Sequence, residues 1–386
     1  MNLTVREAKT IEEKEYVYRL RYDIYISEMN RTQTYADHTK KRIYEPIDDH
    51  ARLLICFDEE KPVGTLRLNL RKEGVLECEE LYDLEKFSPF YPNQVTMSTK
   101  LMVLPEYRSS MATSLLTSNA YYINRQENCL FDFIDTNPHL VRLYSQVGYR
   151  IYKENISHPE YGDVIPMVFL TDDIEYMKAV HSPFYRLAKR YDNDTKARKH
   201  FDTNFSEYSS IRPLFTYSTD EFWEQYGITV EEDKTNTLRF VRGFSKEDWN
   251  KLLNQLDLLH YNKGDIIFRE GDTSTGLFAI LEGQVEVIGT NGKPYALLTK
   301  GDTFGEIGLV AKTKRNATIR VREKSKLVML TTAEFRKIEL AAPNLAIKLL
   351  ENLFGILAER FNDNSRTLQF LRPLLEVIQE KTESMD

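Results

Sequence analysis

The chain contains few of the residues that mark several large protein classes. Its 386 residues include only three cysteines and two tryptophans. The cysteines, Cys56, Cys78 and Cys129, form no Cys-x-x-Cys pair, so neither a disulfide framework nor a zinc site is expected. No apolar run approaches the roughly 20 residues that span a bilayer, and no apolar signal core follows Met1. We therefore expect a cytoplasmic protein with no membrane span and no bound metal.

The charge balance argues against a general nucleic-acid-binding or membrane-surface protein. The chain has 52 Lys and Arg residues against 59 Asp and Glu residues, a net charge of −7, which is unfavourable for general binding to nucleic acids or membrane surfaces. Aromatic residues make up 12% of the chain, which is too many for a disordered protein. The length allows two or three domains. We predict a folded domain at 1–190, a partly helical connector at 191–240, and a second domain at 241–386.

Residues 304–318 carry the most informative motif, a Gly-rich turn with one carboxylate and one guanidinium beside it. Gly305 permits a close approach of the backbone to a ligand. Arg315 can neutralise a cyclic phosphate with two N–H donors, and Glu306 can accept a hydrogen bond from a ribose hydroxyl. The motif predicts a cyclic-nucleotide site. Its predicted residues are Gly305, Glu306, Ile307, Arg315, Asn316 and Ala317.

Short apolar segments separated by Gly turns precede this motif, and six or more such strands predict a β-roll or jelly roll. The order Gly-Asp-x-Ile-x-x-x-Gly at 264–271, Leu-Glu-Gly at 281–283, Phe-Gly-Glu at 304–306 and Arg-x-Ala-Thr at 315–318 is typical of one family. Over residues 241–365 the chain resembles the cyclic-nucleotide-binding domains of bacterial catabolite activators and of protein kinase A regulatory subunits.

That resemblance implies that Glu306 contacts the ribose and Arg315 the phosphate. Asn316 stands where cyclic-GMP-selective members often carry Thr, so the implied ligand is cyclic AMP. The alternative is a β-roll that has lost its ligand. No helix-turn-helix pattern follows the roll, so a transcription factor of the catabolite-activator type is not expected.

Pro343 opens a predicted helix with an apolar seam at three- and four-residue spacing. The seam residues are Leu350, Leu353, Phe354, Leu357 and Phe361. The resemblance implies that this helix caps the nucleotide base and pairs with its twin in a homodimer. The alternative is a helix that packs only on its own domain, and the sequence does not separate the two.

Residues 1–190 alternate between strand and helix patterns, which predicts an α+β layered structure. The predicted strands are 2–8, 51–58, 63–70, 95–103, 131–135 and 165–170, and the predicted helices are 11–29, 108–126 and 138–147. The segments 103–116 and 138–149 resemble the GNAT N-acyltransferases. The segments 21–28, 48–51 and 64–68 resemble, more narrowly, the acyl-homoserine-lactone synthases and the long-chain N-acyl amino acid synthases.

The second resemblance implies transfer of a long acyl chain from acyl carrier protein or acyl-CoA to an amine. Tyr144 is the implied acid for the leaving thiolate, and Asp48 and Arg67 are the other predicted catalytic residues. Each has another interpretation. Tyr144 is equally compatible with core packing, and Arg67 and Arg21 are compatible with structural ion pairs to Asp48 or Asp49.

Two positions depart from the acyltransferase pattern. Met111 stands where the pyrophosphate loop usually has a small residue, so it is expected to crowd CoA more than a carrier-protein donor. Met97 and Lys100 stand where homoserine-lactone synthases place an acidic residue and an Arg, and Met97 cannot act as a general base. The candidate substitutes are Asp48, Asp49 and Glu28. Together with Met102, both methionines are expected to line a core or an acyl tunnel.

We therefore expect a cytoplasmic protein of bacterial type in which cyclic AMP regulates an N-terminal GNAT-like N-acyltransferase domain. The alternative is a non-catalytic regulator whose GNAT-like domain binds a protein or an acyl ligand. In either case the connector at 191–240, with a predicted short helix around Phe222, Trp223 and Tyr226, is expected to carry the coupling.

Overall fold

The computed structural model divides into two compact units, Met1–Thr216 and Tyr217–Asp386. It describes residues 2–209 except 30 and 109, residue 221, and residues 238–362 except 274–275, 290–291 and 311–313. The helix predicted around Phe222, Trp223 and Tyr226 lies outside the described residues. Within these described ranges no helix has both the length and the apolar character needed to cross a bilayer.

The first unit is built on one large mixed sheet. Its strands are β1 (Leu3–Glu7), β2 (Ala36–Asp37), β3 (Arg42–Ile43), β4 (Ala51–Asp58), β5 (Lys61–Leu70), β6 (Val95–Val103), β7 (Phe131–Thr136), β8 (Tyr149–Ile151), β9 (Ile156–His158) and β10 (Gly162–Leu170). The main sheet has the order β1-β4-β5-β6-β7-β10-β8, with β9 paired to β10. The β2 and β3 strands form a separate two-stranded ladder.

Helices flank the sheet. The α-helices of this unit are Ile11–Tyr22, Ala112–Gln126, Val141–Val147, Ile174–Ala179, Tyr185–Ala188, Lys196–Asn204 and Ser206–Ser209. A π-helical segment covers Asp23–Glu28. Short 3₁₀ turns lie at Pro46–His50, Glu79–Leu81, Leu84–Phe87, Pro105–Tyr107 and Pro138–Leu140. The predicted α+β class is therefore confirmed.

Two predicted helices differ in extent from the observed ones. The helix predicted over 11–29 begins at a capping box in which Thr10 accepts a hydrogen bond from the Glu13 N–H, but it widens into the π-helix after Tyr22. The helix predicted from 108 begins at Ala112, because a 3₁₀ turn and the Ser110 to Tyr107 hydrogen bond occupy the preceding residues.

Apolar side chains cover both faces of the sheet. One core contains Phe131 and Phe133 of β7 with Phe87, Tyr152 and Phe201. The other packs the helix Ala112–Gln126 against β4 and β5. The helix Lys196–Asn204, which lies in the predicted connector, contributes Ala197 and Phe201 to the first core.

The sheet opens between β6 and β7. These two strands are parallel, and they pair only where Val95, Thr96 and Met97 face Phe131, Asp132 and Phe133. Beyond Met97 the pairing stops. At the same level Lys100 adopts a left-handed φ of +53°, and the β5 to β6 register shifts between Thr65 and Arg67. A left-handed non-glycine residue at a bulge in a strand is costly and is typical of functional sites.

The second unit is a smaller, antiparallel β-domain. Its strands are β11 (Asp257–Tyr261), β12 (Ile266–Phe268), β13 (Gly276–Ile288), β14 (Pro294–Thr299), β15 (Thr303–Phe304) and β16 (Thr318–Thr331). They form a sheet in the order β11-β16-β13-β14, with β12 on β16 and β15 on β13. The long strands β13 and β16 pair along most of their length, and within the described residues no pairing joins β11 to β14, so the predicted roll is confirmed as an open one.

Helices accompany the roll at Lys246–Leu253, Ile307–Val310 and Thr332–Ala341, and residues 343–362 are also helical. The last helix buries Leu345, Leu349, Leu353 and Ile356. Two residues of the predicted seam, Phe354 and Phe361, are instead exposed, to 74% and 71%. The helix therefore has one apolar face on its own domain and a second in solvent.

Candidate functional site

A cavity of about 610 Å³ lies at one end of the roll, and its volume is in the range typical of ligand sites. The predicted nucleotide residues all line it: Gly305, Glu306, Ile307, Arg315, Asn316 and Ala317. Apolar residues also line it, including Val287, Tyr295 and Leu298. The motif residues thus meet at one concave surface.

Arg315 is a buried cation in this cavity. Its Nη1 donates to the Gly305 carbonyl at 3.1 Å, and its Nη2 donates to the Gly276 carbonyl at 2.9 Å. The guanidinium also lies over the Phe268 ring at 4.0 Å. No carboxylate in the described parts of the chain forms an ion pair with Arg315, and its Nε has no hydrogen-bond partner there.

Burial lowers the pKa of Arg315 to about 10, although Asp272 and Glu306 act in the opposite direction. The group is therefore charged at pH 7. Its backbone is held by Asp272, whose carbonyl accepts from the Arg315 N–H at 2.8 Å. A buried cation that is fixed in place without an anionic partner is set up to receive one from a ligand.

Gly305 is required by the position of Arg315. Its φ is +76°, and a Cβ at this residue would lie 2.4 Å from Arg315 Nη1. Only glycine therefore allows the loop and the guanidinium to occupy their observed places. This geometry explains one glycine of the sequence motif.

Glu306 has a partner that the motif did not predict. Arg360, on the helix 343–362, donates from Nη1 to Glu306 Oε1 at 2.8 Å and from Nη2 to the Thr303 carbonyl at 2.5 Å. Arg360 also lines the cavity. The sequence spacing could have identified Arg360, because it continues the buried series Leu349, Leu353 and Ile356 at intervals of three and four residues.

The second candidate site lies in the first unit, at the opening between β6 and β7. A cavity of about 250 Å³ is bounded by residues 98–103 of β6 and 134–136 of β7. Its wall includes Tyr144, together with Tyr25, His139 and Met102. The cavity thus brings the predicted residue Tyr144 to the opening between β6 and β7.

Tyr144 packs edge-on against Tyr149, with ring centroids 5.7 Å apart. Burial raises the pKa of Tyr144, with further contributions from Asp135 and Tyr25, so the phenol keeps its proton at neutral pH. His139 in the same cavity is neutral, because burial and Arg31 lower its pKa to about 4.

Asp48 and Arg67 do not line this cavity. Both side chains are fully buried, and Arg67 Nη1 lies 3.3 Å from Asp48 Oδ1. Asp48 also bonds Arg21 at 2.7 Å, as the ion-pair interpretation of these residues expected, whereas Asp49 is exposed and accepts a hydrogen bond from the Tyr44 hydroxyl.

Arg67 connects this pair to a larger charged cluster behind the cavity. It contacts Glu45 at 2.5 Å and also bonds Glu77. Lys100 lies 2.9 Å from Glu45, and 3.5 Å from both Glu77 and Glu160. Glu45, Glu77 and Glu160 converge closely enough to hold a metal ion, but the Lys100 ammonium occupies their centre.

The cluster holds three cations, Arg21, Arg67 and Lys100, and four carboxylates. Burial opposes ionisation of Glu45, yet Arg67 and Lys100 hold its pKa at about 2. With three cations and four carboxylates, the cluster carries one net negative charge. The sequence pattern pointed to Lys100 as the position of an Arg in related enzymes, whereas Glu45, Glu77 and Glu160 carried no signal, because their contacts join segments far apart in the chain.

The three methionines take different environments. Met97 is buried in the Phe131 and Phe133 core, and Met102 lines the cavity. The expectation that Met111 lies in a core or tunnel is wrong, because its side chain is 62% exposed. It precedes the helix Ala112–Gln126, which starts without a side-chain cap.

Comparison with known proteins identifies both units. Residues 258–340 match the family model of the cyclic nucleotide-binding domain, and residues 16–171 match that of the N-acyl amino acid synthase FeeM. The chain therefore contains a C-terminal cyclic nucleotide-binding domain and an N-terminal domain of the N-acyl amino acid synthase type, and both resemblances are confirmed.

Individual relatives match the nucleotide-binding part. The cAMP-dependent protein kinase regulatory subunit of Schizosaccharomyces pombe is 36% identical over 99 residues, 25% of this chain and 24% of that protein. The cGMP-dependent protein kinase of Plasmodium berghei is 32% identical over 109 residues, 28% of this chain and 12% of that protein. The matched region thus spans about a quarter or less of these relatives.

Among solved structures, the Thermus thermophilus catabolite activator protein is 25% identical. The match covers 34% of this chain and 62% of that one, with a TM-score of 0.31.

Proposed function

We propose that this protein is a cytoplasmic, cyclic-AMP-regulated N-acyltransferase, in which nucleotide binding at the C-terminal cavity controls acyl transfer in the N-terminal domain. The observation that carries the sensing half is Arg315, a buried guanidinium without an anionic partner among the described residues. The observation that supports the enzymatic half is the cavity between β6 and β7 with Tyr144 on its wall.

In the nucleotide site, Arg315 neutralises the cyclic phosphate, and the backbone N–H groups of Asn316 and Ala317 add further dipoles. Glu306 accepts a hydrogen bond from the ribose 2′-hydroxyl through the oxygen that Arg360 does not bond. Ile307 supplies apolar contact. Asn316, where cyclic-GMP-selective domains often have Thr, favours cyclic AMP as the ligand.

In the acyltransferase site, the opening between β6 and β7 receives the arm of an acyl thioester carried by acyl carrier protein or CoA. An acceptor amine attacks the thioester carbonyl. Tyr144 donates its proton to the departing sulfur, a role that needs a phenol which stays protonated until the thiolate forms.

Asp48 and Arg67 act by positioning rather than by contact with substrate. Arg67 holds Glu45 and Glu77, and these two carboxylates hold Lys100 at the cavity wall. Because Lys100 is the bulged residue of β6, this ion-pair chain maintains the opening of the strands.

Nucleotide binding regulates the enzyme only if it favours one state of the protein over another. The contact between Arg360 and Glu306 links the nucleotide loop to the helix 343–362, and that helix exposes Ile347, Phe354 and Phe361 at seven-residue spacing. We propose that this exposed stripe pairs with the same stripe of a second copy in a homodimer.

The second candidate function is a non-catalytic regulator whose GNAT-like domain binds a protein or acyl ligand. Met97 favours it, because a buried thioether stands where related synthases have an acid. The two functions differ in turnover of an acyl thioester, because the acyltransferase releases thiol in the presence of an acceptor amine. The non-catalytic regulator predicts binding of an acyl thioester without release of thiol.

Two measurements on the purified full chain test the proposal. Calorimetric titration with cyclic AMP and cyclic GMP should show tight binding of cyclic AMP, weakened by about 2 kcal/mol or more in Arg315→Ala, roughly thirtyfold. Arg336→Ala, an exposed arginine on the helix Thr332–Ala341 that does not line the cavity, serves as the matched control. The second measurement is thiol release from dodecanoyl-pantetheine, with a mixture of the twenty proteinogenic amino acids as acceptors. Wild type should release thiol, and Tyr144→Phe should not. Binding without turnover would support the second function.

A further inference from the structure

Asp135 is a carboxylate in the acyltransferase cavity that the charged cluster does not neutralise. It lies near the carboxyl end of β7 and lines the cavity with Glu77 and Tyr144. Its Oδ2 atom is shielded from solvent and has no hydrogen-bond partner in the described residues. It forms no ion pair with Lys100, which is bonded by Glu45, Glu77 and Glu160.

Asp135 and Tyr144 line the same cavity from opposite faces of the sheet. Side chains alternate along a strand, so Asp135 shares a face with Phe131 and Phe133, while Asp132 points to the opposite face. Tyr149 donates to Asp132 at 2.5 Å and packs against Tyr144, which puts Tyr144 on the Asp132 side. The cavity reaches both faces because β7 has no β6 partner beyond Phe133.

We propose that Asp135 is the general base that accepts the proton of the acceptor amine. This inference rests on the proposed acyltransferase function and assigns the base that Met97 cannot provide. A carboxylate on one side of the opening and a phenol on the other are placed to act on opposite ends of the reacting group, the incoming nitrogen and the leaving sulfur.

The proton balance closes with these two residues. The acceptor ammonium gives one proton to Asp135, and its nitrogen then attacks the thioester carbonyl carbon to form the C–N bond. As the C–S bond breaks, the sulfur takes the Tyr144 proton, and the second proton of the nitrogen returns to the Tyr144 oxygen. Asp135 then releases its proton to water, so the products are an amide, a thiol and one proton.

The surroundings of Asp135 suit a base. Burial raises its pKa above the ordinary value, Glu77 acts in the same direction, and His158 and the Tyr82 hydroxyl oppose them. A carboxylate with a raised pKa retains a captured proton better than an exposed one. Glu77 is less suited, because Arg67 and Lys100 lower its pKa against the effect of burial.

The test compares wild type, Asp135→Asn and Asp135→Glu in the full chain, with dodecanoyl-pantetheine and a mixture of the protein amino acids as probes. Amide formation is followed by mass spectrometry across pH. We expect Asp135→Asn to lower kcat/KM by about 10²–10⁴ and to remove the acidic limb of the pH profile, and Asp135→Glu to restore part of the rate. The exposed Asp202→Asn is the matched control.

A binding readout separates catalysis from folding. The thioether analogue of dodecanoyl-pantetheine should bind Asp135→Asn within about threefold of wild type, since the base does not hold the donor. If wild type forms an amide and Asp135→Asn does so at the same rate and with the same pH profile, Asp135 is not the base and the acyltransferase function stands. If wild type forms no amide with any amine, both the function and the base assignment are overturned.

Discussion

Arg360 reaches from the helix 343–362 to Glu306, where its Nη1 lies 2.8 Å from Oε1. The same guanidinium bonds the Thr303 carbonyl, so one side chain holds both the proposed ribose acceptor and the strand before it. The nucleotide loop and the C-terminal helix are therefore mechanically connected before any ligand binds. A ligand that moves Glu306 also acts on the helix that carries the exposed apolar stripe.

Arg360→Met should weaken cyclic AMP binding about tenfold, or roughly 1.4 kcal/mol, because Glu306 loses the group that orients its carboxylate. Calorimetric titration measures the change. Arg336→Met, an exposed arginine on the helix Thr332–Ala341, is the control and should leave the affinity unchanged. Equal affinities for Arg360→Met and wild type would show that the contact does not matter for the ligand.

Gly305→Ala should destabilise the second unit and displace Arg315, because the new Cβ would meet Nη1 at 2.4 Å. Gly292→Ala is a matched control, since Gly292 has a similar φ of +71° but no atom within 4 Å of the place that a Cβ would occupy. Both substitutions carry the left-handed backbone cost of about 1–2 kcal/mol. Only Gly305→Ala should also lower cyclic AMP affinity, by roughly tenfold or more; a similar loss in Gly292→Ala would refute the steric explanation.

Three motif residues, Gly305, Glu306 and Arg315, were predictable from the sequence because the loop that holds them is short and its residue types are specific. Arg360 and Asp135 were not predicted. Arg360 acts across more than fifty residues of chain, and its partner depends on where the last helix packs. Asp135 looks like an ordinary strand-end carboxylate until the parting of β6 and β7 gives it a cavity.

Six strands of the first unit, β1, β4, β5, β6, β7 and β10, followed from their apolar patterns, whereas the two- and three-residue strands β2, β3, β8 and β9 were not predicted because they are too short to show a pattern. Phe354 and Phe361 show the limit of that signal. Their spacing predicted one apolar seam together with Leu353, yet Leu353 packs with Leu349 on its own domain while Phe354 and Phe361 are exposed. A helix with two apolar faces offers two seams, and the sequence alone does not say which one its own domain covers.

Asp48→Asn should cost about 3–5 kcal/mol of the stability of the first unit, because it leaves the buried Arg21 and Arg67 without their shared carboxylate. Chemical denaturation of the full chain measures the loss in the transition of that unit. The adjacent Asp49→Asn removes only an exposed hydrogen bond to Tyr44 and should cost less than about 1 kcal/mol. Equal losses in the two variants would contradict the buried network.

Asp132 should make stability depend on pH. Burial raises its pKa from the ordinary 3.8 to about 6, although Tyr149, Ser98 and Thr96 donate hydrogen bonds to it. The folded state thus binds an extra proton between these values, so this contribution is present below about pH 4 and is lost as pH rises through about 6.

The comparison with Asp132→Asn isolates that contribution, because every other group titrates alike in both proteins. From about pH 4 to about pH 7.5 the stability of wild type relative to the variant should fall by about 2 kcal/mol, because a tenfold change in proton affinity is worth roughly 1.4 kcal/mol and part of the effect lies below pH 4. Denaturant titration at a series of pH values measures it. A difference that does not vary with pH would mean that Asp132 keeps its ordinary pKa.

Control of acyl transfer by the nucleotide site is tested by the initial rate of amide formation by the full chain, measured as a function of cyclic AMP concentration. We expect a rate that changes with cyclic AMP, with a midpoint equal to the calorimetric Kd, and a midpoint roughly thirtyfold higher in Arg315→Ala. A rate that stays constant while calorimetry shows the site filling would contradict it.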